Sequence, residues 1–132
     1  MRNKRMVSVH TLAEDVVVAS SVMVADTSVS RAVGLLGRSH LQREEGIWIK
    51  PSSGVHTIGM RFPIDVVGLD AQLRVVRLWP SLKPYRLTAI VPSVRTVLEL
   101  AAGRIVESGL QLGDQLRIQE SGLLHEAPIP TS

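Results

Sequence analysis

DVVVASSVMVA, residues 15–25, is apolar enough to be the heart of an export signal, a membrane span or a buried strand. Arg2, Lys4 and Arg5 precede it and Met23-Val24-Ala25 closes it, as in a signal peptide. Glu14 and Asp15 interrupt the approach, however, and Ser20-Ser21 split the run. A span needs about 20 apolar residues, more than the run holds. A period of two remains: Val18, Ser20, Val22 and Val24 alternate with Val17, Ala19, Ser21 and Met23. That pattern, rich in β-branched valine, predicts a strand buried on much of both faces.

Outward from this strand, Met6 to His10 reads as a short edge strand. Asp26-Thr27-Ser28 offers side-chain oxygens to the first free N–H groups of a helix, and Val29, Ala32, Val33 and Leu36 follow at helical spacing. A helix is therefore expected near residues 27–36, stopped by Gly37. Further strands are expected at Gly46 to Lys50, Val55 to Ile58, Ile64 to Leu69, Leu73 to Leu78, Val94 to Ala101 and Gln115 to Gln119. Asp70-Ala71-Gln72 joins two of them as a hairpin, and Pro51-Ser52-Ser53-Gly54 is a turn by composition. Pro80, Pro84 and Pro92 mark an irregular stretch from Trp79 to Ser93, and Arg104 to Ser108 forms a helical turn between Gly103 and Gly109. The fold class that follows is mainly β, a β-rich α+β domain. It is a compact, mostly antiparallel barrel or sandwich whose edges the helix protects. All 132 residues form one domain, with frayed tails at 1–5 and 126–132.

Composition removes several function classes. There is no cysteine, so disulfides, thiolate metal sites and thiol catalysis are excluded. The net charge of +3 is mildly basic, but no helix is richly basic and aromatics are only 3% of the chain, so nucleic acid is not an expected partner. No signal peptide, membrane partner or cofactor is expected, and the expected location is cytoplasmic.

The chemically mixed stretch is HTIGMRFPID, residues 56–65. His56 and Asp65 stand nine apart across a bend. They are either a general base with its orienting carboxylate or a hydrogen-bonded pair that fixes an irregular loop. The structural pairing is preferred, because unpaired polar groups at such a bend are costly. Arg61 can take a carboxylate or phosphate in bidentate fashion, and with Lys83 and Arg86 would favour an anion; alternatively it pairs with Asp65 or Glu99. Met60 and Phe62 read as core or pocket wall. Trp48, Trp79 and Tyr85 form either an aromatic rim or plugs for the barrel ends. Glu99 is either partly buried and paired or on a wet face; it alternates with Arg95 and Val97, so a wet face with a cross-strand cation is the simpler account. Ser39-His40 lacks a nucleophile elbow. Zinc would need three or four ligands, and the other histidines are scattered, so no metal is expected.

Five segments resemble a known family when taken in order: Gly34-Leu35-Leu36-Gly37-Arg38, Glu45-Gly46, His56-Thr57 through Asp65, Val97-Leu98-Glu99-Leu100-Ala101-Ala102-Gly103, and Gly113-Asp114. The chain resembles the DUF192 family of bacterial and archaeal domains from about Val16 to Ile118. The resemblance implies a compact β-rich fold with a small helical element and no established activity. Many relatives look exported or lipid-anchored, whereas no such leader is expected in this chain. Ile47-Trp48-Ile49 follows the glycine where Met and Phe are more usual, and Gly68 stands where an aromatic is common.

The preferred function is a small non-catalytic binding or accessory domain. Its shallow site comprises His56, Met60, Arg61, Phe62 and Asp65, with Trp79, Lys83 and Glu99, and takes a small polar or anionic ligand or a peptide. One alternative is a hydrolase-like or metal-assisted enzyme using His56, Asp65 and Glu99, which requires those three side chains to converge. The other is a structural domain whose protein partner covers an apolar patch.

Overall fold

The computed structural model describes residues 5–27, 30–31, 35, 38–57 and 60–122. Among them are strands β1 (Met6–Thr11), β2 (Val17–Ala25), β3 (Glu45–Ile49), β4 (Ile64–Leu69), β5 (Val75–Leu82), β6 (Thr96–Ala101) and β7 (Leu116–Gly122), and the helix α1 (Arg104–Ser108). The strands form one sheet in the order β5-β4-β6-β3-β2-β1-β7. Every pair is antiparallel except β2–β3, where Ser21 to Ala25 lie parallel to Glu45 to Ile49. A parallel pair needs a crossover, which residues 26–44 supply. The expected helix near 27–36 falls in this crossover and lies largely outside the described residues. Its start is visible: the Ser30 N–H donates to Thr27 Oγ1 and the Thr27 N–H to Ser30 Oγ, both at 3.0 Å, a reciprocal cap.

The sheet is mixed and does not close into a barrel. Its outer strands approach at one end, where the Val75 N–H donates to the Asp114 carbonyl and the Leu116 N–H to that of Leu73 (2.8 and 2.9 Å). β1 is not an edge strand, since it lies between β2 and β7.

Period-two patterning places a core on each face. Val22, Trp48, Val67, Leu98 and Leu100 face one side, and Ile47, Ile49, Ile64, Val66 and Val97 the other. β4 is buried at all six positions, as a strand covered on both faces must be. The second face is covered by two long connections. Ile49 pairs with Val97 and Ile64 with Ala101, so residues 50–63 must cross the sheet from one end of β6 to the other. Residues 83–95 return from Leu82, beside Ile64, to Thr96. The two run antiparallel as an irregular ribbon, joined by bonds from the Thr57, Thr88 and Val91 N–H groups to the Arg86, Val55 and Ser53 carbonyls (2.8, 3.0 and 3.1 Å). Met60 and Val94, with Val55, Phe62 and Val91 at the margin, pack inward from this cover. The strand expected at Val55 to Ile58 is thus reduced, in its described part, to one bridge, His56 with Leu87.

β5 runs on through Trp79-Pro80-Ser81, which the prolines made look irregular. Pro80 is tolerated because β5 is an edge strand. The register slips between Ile64–Leu82 and Val66–Trp79, a bulge that takes up the extra residue.

Candidate functional site

Asp65 is fully buried, and its carboxylate is committed to backbone. Oδ1 accepts from the Ser81 N–H at 2.8 Å; Oδ2 accepts from Gly103 and Ile105 at 3.1 and 2.7 Å. One side chain therefore caps the freed N–H of the β5 bulge and the first turn of α1, where negative charge is favoured. Ser81 at φ 49° and Gly103 at φ 96° are the left-handed residues that aim those N–H groups inward.

Glu99 is buried too, but on the other face. Along β6 it stands opposite Val66 and Ile47, whereas Asp65 stands opposite Leu100. Neighbouring positions on a strand point to opposite sides, so Asp65 and Glu99 are separated by the sheet itself. The expected wet face with a cross-strand cation is corrected: both strand partners of Glu99 are aliphatic, and the cover lies over that face. Its Oε1 has no hydrogen-bond partner among the described residues. Burial raises its carboxyl from the ordinary 4.5 to about 7.

His56 is exposed on the outer side of the cover, opposite Leu87, while the buried Asp65 carboxylate bonds to Ser81, Gly103 and Ile105 and not to His56. The three residues of the enzyme alternative thus do not converge. Arg61 is exposed; Met60 is core; Phe62 and Trp79 are half-buried against the second core. Trp48 is core on the first face, its indole N–H 3.0 Å from Thr96 Oγ1 and its ring under Lys50 Nζ at 4.4 Å. Of the aromatics considered for a rim, only Tyr85 reaches solvent fully.

Thr57, wholly buried, fastens the cover. Its hydroxyl donates to the Lys83 carbonyl at 2.6 Å and accepts from the Arg86 N–H at 2.8 Å, while its carbonyl accepts from Tyr85 at 3.0 Å. Tyr85 sits at φ 63°, uncommon for a bulky residue, in a Pro84-Tyr85 turn that points its ring outward. An open groove of about 460 Å³ runs beside His56 and is lined by Val55, Leu87 and Ile90 among others. A second, of about 430 Å³, is lined by Trp79, Lys83 and Arg86.

Leu87 and Ile90, which the sequence did not single out, line the groove beside His56, and their exposure depends on which way the ribbon faces. One signal was present in the sequence. Pro51 to Pro63 and Pro80 to Arg95 contain no Asp or Glu but hold Arg61, Lys83, Arg86 and Arg95. Against a whole-chain charge of +3, these segments carry +4 and the rest of the molecule −1. None of the ion pairs formed among the described residues involves them. No group of three or more potential metal ligands occurs among the described residues.

The profile of DUF192, described as "Uncharacterized ACR", matches residues 9–118. The chain belongs to the DUF192 family. No curated protein matches. A Novosphingobium aromaticivorans protein of unknown function is similar in structure, with a TM-score of 0.71 and 25% identity over 85% of this chain and 83% of that one. A Sinorhizobium meliloti protein described as a candidate transcription regulator has a TM-score of 0.70 at 22% identity, over 87% of this chain and 93% of that one; this likeness is of fold alone. No activity is established for the DUF192 family, and several of its marks in this chain have structural roles. Asp65 ties β5 to α1. A Cβ on Gly46 would stand 2.9 Å from the Glu99 carbonyl oxygen, so β3 and β6 approach as only glycine permits. Among the described residues, no helix is long and apolar enough to cross a membrane.

Proposed function

We propose that this DUF192 domain is a non-catalytic binding module for an anionic partner, recognised on the outer side of the cover by Arg61, Lys83 and Arg86 with His56 beside them. The observation that carries this reading is charge segregation. Two segments far apart in sequence are brought together by the fold, both lack carboxylates, and their cations are exposed and engaged in no ion pair among the described residues. Cations held together without counter-charge attract anions and raise their local concentration. Asp65 supports the scaffold rather than the ligand, and Met60, Phe62 and Trp79 brace the cover from beneath. A catalytic use of His56, Asp65 and Glu99 finds no support in their placement.

The test is thermal unfolding with a panel of anions, including inorganic phosphate, citrate and an acidic peptide. A ligand at about a hundred times its Kd stabilises by ~2.7 kcal/mol, which raises the melting temperature by several degrees. At least one anion is expected to do this, with the shift lost in Arg61→Ala and Lys83→Ala and weakened by salt. Equal shifts in wild type and both variants would remove the site.

A further inference from the structure

Charge fixes the sign of the partner; the apolar residues on the same face narrow its class. Tyr85, Leu87 and Ile90 are 68%, 72% and 79% exposed and fall within six consecutive residues, with Arg86 among them and Lys83 just before. Among the other exposed large apolar residues of the described part, only Val106 is as exposed, and Leu12, Val17 and Leu112, less so, are scattered along the chain. A small soluble anion needs cations and makes no use of three protruding apolar side chains. Nor are these residues loosely held. Thr57 pins the turn on both sides of Tyr85, and Leu87 is fixed opposite His56 by the ribbon.

We infer that this outer face docks on an anionic lipid surface. Tyr85, Leu87 and Ile90 enter the boundary between headgroups and acyl chains, while Lys83, Arg86 and Arg61 meet lipid phosphates and carboxylates. The inference rests on the reading of this face as an anion-binding surface and names the partner's class. Charge complementarity favours a bilayer. The two segments of the ribbon hold no carboxylate, so a continuous sheet of negative headgroups attracts both along their length, whereas the remainder of the chain carries −1. Side chains more than two-thirds exposed also need a partner that yields around them. Hydrocarbon does so, whereas a protein would need a matching pocket for each. Apolar insertion and cationic attraction are each weak alone and sufficient together. That no helix among the described residues is long and apolar enough to cross a bilayer leaves docking on one open.

The test is co-sedimentation of the full chain with vesicles of phosphatidylcholine, with and without phosphatidylserine. The protein is expected to pellet with the phosphatidylserine vesicles at about 0.1 M salt, to be released at about 0.5 M, and to stay in solution with phosphatidylcholine alone. Leu87→Ser with Ile90→Ser, which leaves the charge unchanged, should lower partitioning by about tenfold or more. Leu87→Phe should raise it, a gain that misfolding does not mimic if the melting temperature is unchanged. Vesicle binding indifferent to the serine pair would reduce the interaction to charge alone and overturn the inference. Failure to bind vesicles, while phosphate or an acidic peptide still raises the melting temperature through Arg61, overturns it and leaves the anion site standing. Failure of both removes the two together.

Discussion

Asp65 holds three backbone N–H groups from two elements, so its loss leaves three donors, the Ile105 N–H buried and those of Ser81 and Gly103 partly buried, without that acceptor. Each unpaired donor costs about 1–3 kcal/mol. Asp65→Ala should therefore lower stability by roughly 3 kcal/mol or more in urea unfolding, and should leave any remaining anion binding by the folded fraction unaltered; wild-type stability would contradict the anchoring role. Glu99 behaves differently. Its folded carboxyl titrates near 7 against an ordinary 4.5. Below about pH 4.5 both folded and unfolded states hold the proton, and its contribution is fully present. As pH rises toward 7 the unfolded chain loses that proton while the folded one keeps it, so stability falls by about 3 kcal/mol across that window and is then flat with respect to this group. Glu99→Gln should abolish this slope, and an unchanged slope would place the titration elsewhere. The opposed roles of these two acids were not legible in the chain. Alternation told correctly that Glu99 shares a face with Val97, but whether that face is wet depends on a cover built from residues 50–63 and 83–95, which no local pattern announces.

The elements with strong local signals were legible. β4 falls on the expected strand Ile64 to Leu69, α1 at Arg104–Ser108 falls between Gly103 and Gly109, and β2 follows the valine alternation. β5 was read as ending at Leu78 because Pro80 looked like a breaker; the edge position and the bulge at Ser81, capped by Asp65, let it continue to Leu82. The ribbon itself has few regular strand bonds and depends on Thr57. Thr57→Val keeps the shape but removes the hydroxyl that joins the Lys83 carbonyl and the Arg86 N–H. It should cost about 1–3 kcal/mol and speed amide exchange at Tyr85 and Arg86 more than in β6. Uniform exchange changes would show that the clamp is not local.

Across the whole molecule, a compact β-rich domain could be read from short strands at close spacing, but not the parallel β2–β3 pair or the failure to close. Both depend on which strands lie side by side, and that is set by the crossover at 26–44 and by the two long connections that spend their length covering the second face. The same connections gather the carboxylate-free segments onto one surface. The fold divides HTIGMRFPID: Met60 and Asp65 go inward, His56 and Arg61 outward. The most direct measurement is an amide-NMR titration of the full chain, first with inorganic phosphate and then with bicelles containing phosphatidylserine. Perturbations should cluster in residues 53–61 and 83–91 and leave β1 and β7 quiet. Shifts confined to β1, β7 or α1, or none with either probe, would show that the outer side of the ribbon is not where this protein binds.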